Sequence, residues 1–219
     1  TSILCLPTLT LQCKVTAMDT NQAAEHIQVI RTLMERSALY RRALAPIMTF
    51  VGALGITAGL VGWLLNIESV RGFVLYWFGI AAVAITGSLL LSRRQALKHR
   101  EPFWSPPTRR IAQSVLPGFS LGILLGIEML YINQGGIHLA IALWTCLYGL
   151  ALHSAGFAIS RGIRILGWLY CVFGCVLLIW YTGWFLAVPA DLLMGSIFGC
   201  LQLAAGIYLY FTEKSGNES

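Results

Sequence analysis

Charge is what this chain has least of. Lys, Arg, Asp and Glu make up 11% of its 219 residues, and only nine of them are acids. An ordinary soluble domain carries about 25% charged residues. Hydrophobic residues reach 57% and mean hydropathy is +0.73. A soluble fold of this size cannot hide that excess, because it still shows water a large surface. Soluble catalytic motifs are missing too. No glycine loop runs into Lys-Ser/Thr and there is no His-Glu-x-x-His, which leaves phosphate-loop and zinc-peptidase chemistry without residues. The six cysteines form no disulfide pattern, and Cys146, Cys171, Cys175 and Cys200 lie in apolar runs, where cysteine packs as a small hydrophobe. Cys171 and Cys175 share a helix face, yet no His or acid lies near them in sequence, so apolar filler is favoured over a metal pair. The composition specifies a membrane protein.

One long polar stretch interrupts the apolar sequence. Ser92–Arg110 carries Arg93, Arg94, Lys98, Arg100, Arg109 and Arg110 against the single acid Glu101. Such charge stays on the cytoplasmic side of a membrane. Pro102, Pro106 and Pro107 predict an extended second half, and Phe103-Trp104 can anchor it in the interface. The stretch therefore reads as a stiff strap along the membrane, with Arg93, Arg94, Lys98, Arg100, Trp104, Arg109 and Arg110 as the candidate docking and lipid-contact residues. The net charge of +6 is explained by anionic headgroups beside the spans; nucleic acid is not the expected partner, since no folded basic domain is present.

Around this strap the sequence predicts an all-α, polytopic protein in four parts. Residues 1–17 read as an unstructured upstream extension, with Met18 resembling a natural start. Residues 18–42 form an amphipathic cytoplasmic helix: Ala23, Ile27, Ile30, Met34 and Ala38 fall on one face, flanked by Arg31, Arg36, Arg41 and Arg42. Residues 43–211 hold six spans, at about 46–65, 73–91, 111–131, 137–157, 165–186 and 189–211, each near the ~20 residues that cross the hydrocarbon. Residues 212–219 are a cytoplasmic tail. Thirteen Lys or Arg lie on the side of the long loop and only Arg71 on the other, leaving Lys14 aside, so both termini are expected in the cytoplasm. Trp63, Trp77, Trp180, Trp184 and Tyr131 cluster near span ends, as amphipathic rings do.

The spans read as three helical hairpins in series. The second member of each carries an aromatic-Gly pair and a later Gly: Phe78-Gly79 with Gly87, Tyr148-Gly149 with Gly156, Phe198-Gly199 with Gly206. The first two hairpins also place a Pro nine residues before the Gly of Leu-Gly-Ile (Pro46 and Gly55, Pro117 and Gly126). Small residues permit close helix approach, so the even-numbered helices are expected to pack on their glycines; the functional alternative makes that face a pore or pocket.

Few groups remain that could carry chemistry. Glu128 is an acid well inside an apolar run and needs a partner or a proton. His138 begins the next span across a short turn, so a Glu128–His138 hydrogen bond is expected, either as a clasp or as an outward-facing proton or substrate site. His153 completes the candidate intramembrane set, about 22 Å along the axis from His138. His26 and His99 lie outside the spans, which argues against stacked haems, and no cofactor or metal site is expected. Gln202 reads as interhelical glue.

The segment Ile30-Arg31-Thr32-Leu33-Met34-Glu35-Arg36-Ser37, with the glycine-rich span that carries Gly52, Gly55, Gly59 and Gly62, resembles a family of uncharacterised bacterial multi-span membrane proteins. The resemblance implies a multi-pass protein of the bacterial inner membrane, with no catalytic residues to carry over. The leading functional expectation is a membrane-embedded interaction or regulatory subunit, with a membrane protein or a second copy as partner. A small-solute or proton transporter using Glu128 and His138 competes with it, and an enzyme ranks third.

Overall fold

In the computed structural model, residues 44–98, 106–132, 136–180 and 187–215 are described. The expected extension, the 18–42 helix, Arg100 and Trp104 lie outside them. All regular structure among the described residues is helical: α1 Leu44–Leu65, α2 Val70–Lys98, α3 Pro106–Ile132, α4 Ile137–Gly156, α5 Arg161–Ile179 and α6 Ala190–Ser215. Each is long and apolar enough to cross a membrane. The protein is an all-α, multi-pass membrane protein with six spans. In lipid only a helix satisfies its own N–H and C=O groups.

Local chemistry sets the helix ends. Asn66 leaves α1 with φ 51°, a left-handed geometry that asparagine tolerates. Ser69 then starts α2, its Oγ accepting from the Gly72 N–H at 3.1 Å. Ser160 does the same for α5 through the Ile163 N–H. Two helices run well past the expected spans. The 29 residues of α2 rise about 43 Å against ~30 Å of hydrocarbon. Arg93, Arg94 and Lys98 therefore continue the helix as an exposed polar end.

The strap is corrected accordingly. Ser92–Lys98 belongs to α2, and Pro106 and Pro107 open α3 instead of holding an extended chain. Proline suits a first helical turn, where its missing N–H has no partner to lose.

Glycine decides which helices touch. Along α1 and α6, running antiparallel, Gly55 meets Gly199, Gly59 meets Gly195, and Gly52 meets Leu203. A methyl on Gly52 would lie 2.5 Å from the Leu203 nitrogen. A second antiparallel seam joins α4 to α5, with Gly149 against Cys171, Gly167 against His153 and Gly174 against Cys146. Cys171 also brings its thiol 3.9 Å from the Cys146 carbonyl. The expected glycine stripes are thus packed, but even-numbered helices close on odd-numbered ones: α4 on α5, α6 on α1. The two seams cross the boundaries of the three sequential hairpins. Gly79, expected to pack, has nothing nearby, and Gly87 faces the Phe50 ring.

Aromatic rings join these pairs into one bundle. Tyr148 of α4, Tyr170 of α5 and Phe198 of α6 meet with centroids 5.0–5.5 Å apart. The Tyr170 hydroxyl donates to the Phe198 carbonyl at 3.1 Å, and the Gln202 amide N–H donates to the Tyr148 hydroxyl. Toward the α1–α2 connection, Val74, Met129 and Ala140 form a buried cluster under Phe78 and Trp144. The coverage is uneven. Only 11% of the most apolar window of α2 and of α3 is buried, against 33–50% for the other four helices.

Candidate functional site

The site grows from the first turn of α6. Pro189 precedes the helix and Asp191 stands in its first turn, where a negative charge meets the positive end of the dipole. The turn is pressed onto α1 at Gly62, where a side chain would collide with the carboxylate: an added methyl would lie 2.7 Å from Asp191 Oδ1. Trp77 of α2 donates its indole N–H to that same oxygen at 3.1 Å. Three helices therefore converge on one acid, which keeps only 4% of its surface exposed. Next to Trp77, the Tyr76 hydroxyl donates to the Ala58 carbonyl at 2.7 Å and ties α2 to α1 below the site.

Above Asp191 the structure is open. A recess of about 290 Å³ lies between the α1–α2 connection, the start of α4 and the approach to α6, with Trp63, Asn66, Glu68, His138, Pro189 and Asp191 in its wall. Asn66 donates from Nδ2 to Glu68 Oε1 at 3.1 Å, which fixes that carboxylate at the rim. His138 Nε2 lies 3.2 Å from the Val188 carbonyl. A carbonyl only accepts, so Nε2 carries the proton and the ring holds the chain just before α6. Among the described residues no Lys or Arg lines the recess. It is an acidic socket, with the Trp63 indole on its wall, at the end of the bundle opposite the basic helix ends.

The structure separates the candidate residues that were expected together. His138 lies in the recess; Glu128 does not line it and stands exposed on α3. No hydrogen bond joins the two among the described residues, because His138 turns to the chain before α6 while Glu128 occupies an outward face. The clasp between α3 and α4 is accordingly absent from this geometry. His153 sits far from both, at the basic end. Its Nδ1 is 3.4 Å from the Arg164 carbonyl, its ring packs edge-on against Phe157 and Trp168, and the Arg164 guanidinium covers Phe157. Arg93, Arg94, Lys98, Arg109 and Arg110 are exposed at that same end.

Sequence reasoning did not place Asp191 among the candidate site residues. Its burial depends on Trp77, 114 residues away, and no local pattern announces that pairing. Gly118-Phe119-Ser120-Leu121-Gly122 fits Gly-x-Ser-x-Gly, but it lies inside α3, with Ser120 Oγ donating to the Pro117 carbonyl at 2.9 Å. A nucleophile of that motif needs a sharp strand-to-helix turn, so Ser120 is a helix-surface serine. Among the described residues no three His, Cys, Asp or Glu side chains converge as metal ligands.

Comparison with known proteins adds no relative: no family model, no curated protein and no solved structure matches the chain.

Proposed function

We infer that the chain is a membrane-embedded interaction subunit of a bacterial cytoplasmic membrane, with both termini in the cytoplasm. The observation that carries this reading is the contrast in coverage. Four helices close on one another in two glycine seams, whereas only 11% of the apolar window of α2 and of α3 is buried. Leu75, Val83, Leu89 and Leu90 of α2, with Leu121 and Leu124 of α3, are each more than half exposed. A partner's helices fit against such faces, and the basic ends of α2 and α3 stand ready for acidic groups or anionic headgroups. The alternative, a small-solute or proton transporter using Glu128 and His138, has less behind it, since Glu128 is not among the described residues that line the recess with His138.

Photo-crosslinking in native membranes tests this. A crosslinking residue at Leu89 or Leu124 is expected to capture a discrete polypeptide, and one at Ile141, which is fully buried, to capture none. Adducts to lipid alone at both exposed positions would refute the subunit reading.

A further inference from the structure

The recess over Asp191 has the chemistry of a binding site, independent of any partner at α2 and α3. A carboxylate removed from water is costly unless it is paired or protonated. Asp191 is nine-tenths buried, and among the described residues its polar contact is a neutral indole N–H, which helps the charge without cancelling it. The recess above supplies a second carboxylate, Glu68, and among the described residues no Lys or Arg. Its volume of about 290 Å³ corresponds to roughly ten water molecules. That exceeds a bare ion and falls at the small end of organic ligand sites. Asn66 and His138 add two polar side chains to the wall, and its apolar part is formed by the Trp63 indole, Pro189, Val188 and Ile67. An aromatic face beside acids attracts an organic cation doubly, through charge and through the ring quadrupole.

We propose that this recess binds a small organic ammonium compound, its cationic nitrogen between Asp191 and Glu68 and its apolar body against Trp63 and Pro189. The site lies at the end of the bundle away from the basic helix termini, so a cation reaches it without crossing the Arg-rich face. Asp191 links the site to the fold. Its carboxylate touches α1 at Gly62 and α2 at Trp77, so ligand charge on Asp191 bears on the junction of three helices.

The test is calorimetric titration of the purified full-length protein in detergent with phenethylammonium. Two comparators share its ring: neutral 2-phenylethanol and anionic phenylacetate. Phenethylammonium is expected to bind one to one, and both comparators about tenfold or more weakly, the effect of one charge-assisted contact. Asp191→Asn keeps an acceptor for Trp77 and should lose at least that factor. Glu68→Gln and Trp63→Ala, both at exposed positions, give the same readout should Asp191→Asn fail to fold. Absence of phenethylammonium binding, equal binding of 2-phenylethanol, or unchanged affinity in Glu68→Gln and Trp63→Ala together would each overturn the proposal.

Discussion

Gly59 of α1 and Gly195 of α6 meet with no side chain between them: a methyl on Gly59 would lie 2.7 Å from the Gly195 Cα, and one on Gly195 would lie 2.5 Å from the Gly59 Cα. Both neighbours are backbone, so neither can swing aside, and the helices must separate to admit a methyl. In lipid, where apolar burial gives little drive for helices to associate, that proximity is the main source of adhesion. Gly59→Ala and Gly195→Ala are each expected to lower stability by about 1–3 kcal/mol, the usual cost of overpacking. Gly79→Ala serves as the control. It meets nothing within 4 Å and replaces a poor helix former, so it is expected to be neutral or slightly stabilising. Unfolding in mixed micelles measures all three, and equal losses at Gly59 and Gly79 would contradict the seam.

The Trp77–Asp191 bond is the polar counterpart of that seam. Trp77→Phe leaves the buried carboxylate without its donor and is expected to cost about 1–3 kcal/mol. Asp191→Asn retains an acceptor and should cost less. A double-mutant cycle with Trp77→Phe and Asp191→Ala is expected to show a coupling of about 0.5–3 kcal/mol, as for other contacting residues. Additive losses would mean that the contact carries no energy of its own.

What could be read in the sequence, and what could not, follows from how local each determinant is. Span number depends on runs of about 20 apolar residues, and these are local. The packed glycines of α4 and α6 were visible as spaced residues, yet spacing on one helix does not name its neighbour. The partners of Gly149 and Gly199 depend on the opposing glycines of α5 and α1. Pro106 and Pro107 were misread because proline ends one helix and begins the next with the same ring; only the backbone around them decides. At the site, His138 was found as a polar residue at a span end, whereas Asp191 required knowledge that Trp77 and Gly62 come to it from two other helices.

Glu128 gives a sharp negative expectation. Since it stands exposed on α3, without a hydrogen bond to His138, Glu128→Gln and Glu128→Ala are both expected to change stability by no more than about 0.5 kcal/mol. His138→Ala differs from them. It removes the N–H donated to the Val188 carbonyl, so amide exchange near Val188 and Ala190 is expected to speed up, with the α4–α5 seam unaffected. Faster exchange across α4 instead would place His138 in the bundle's core stability.

Gln202 and Tyr148 separate the worth of an interhelical bond from the cost of leaving it half made. Gln202 is 1% exposed; its amide N–H goes to the Tyr148 hydroxyl, while its Oε1 has no partner among the described residues. Tyr148→Phe removes the one acceptor and strands a buried amide, at an expected cost of about 1–3 kcal/mol. Adding Gln202→Leu removes the stranded group itself, and an apolar side chain of similar length belongs naturally among Tyr170, Phe198 and the seam residues. The double variant Tyr148→Phe/Gln202→Leu is therefore expected to be more stable than Tyr148→Phe alone and close to the natural protein. Thermal unfolding in detergent decides the order. A double variant weaker than Tyr148→Phe would show that Gln202 supports the bundle through more than this bond.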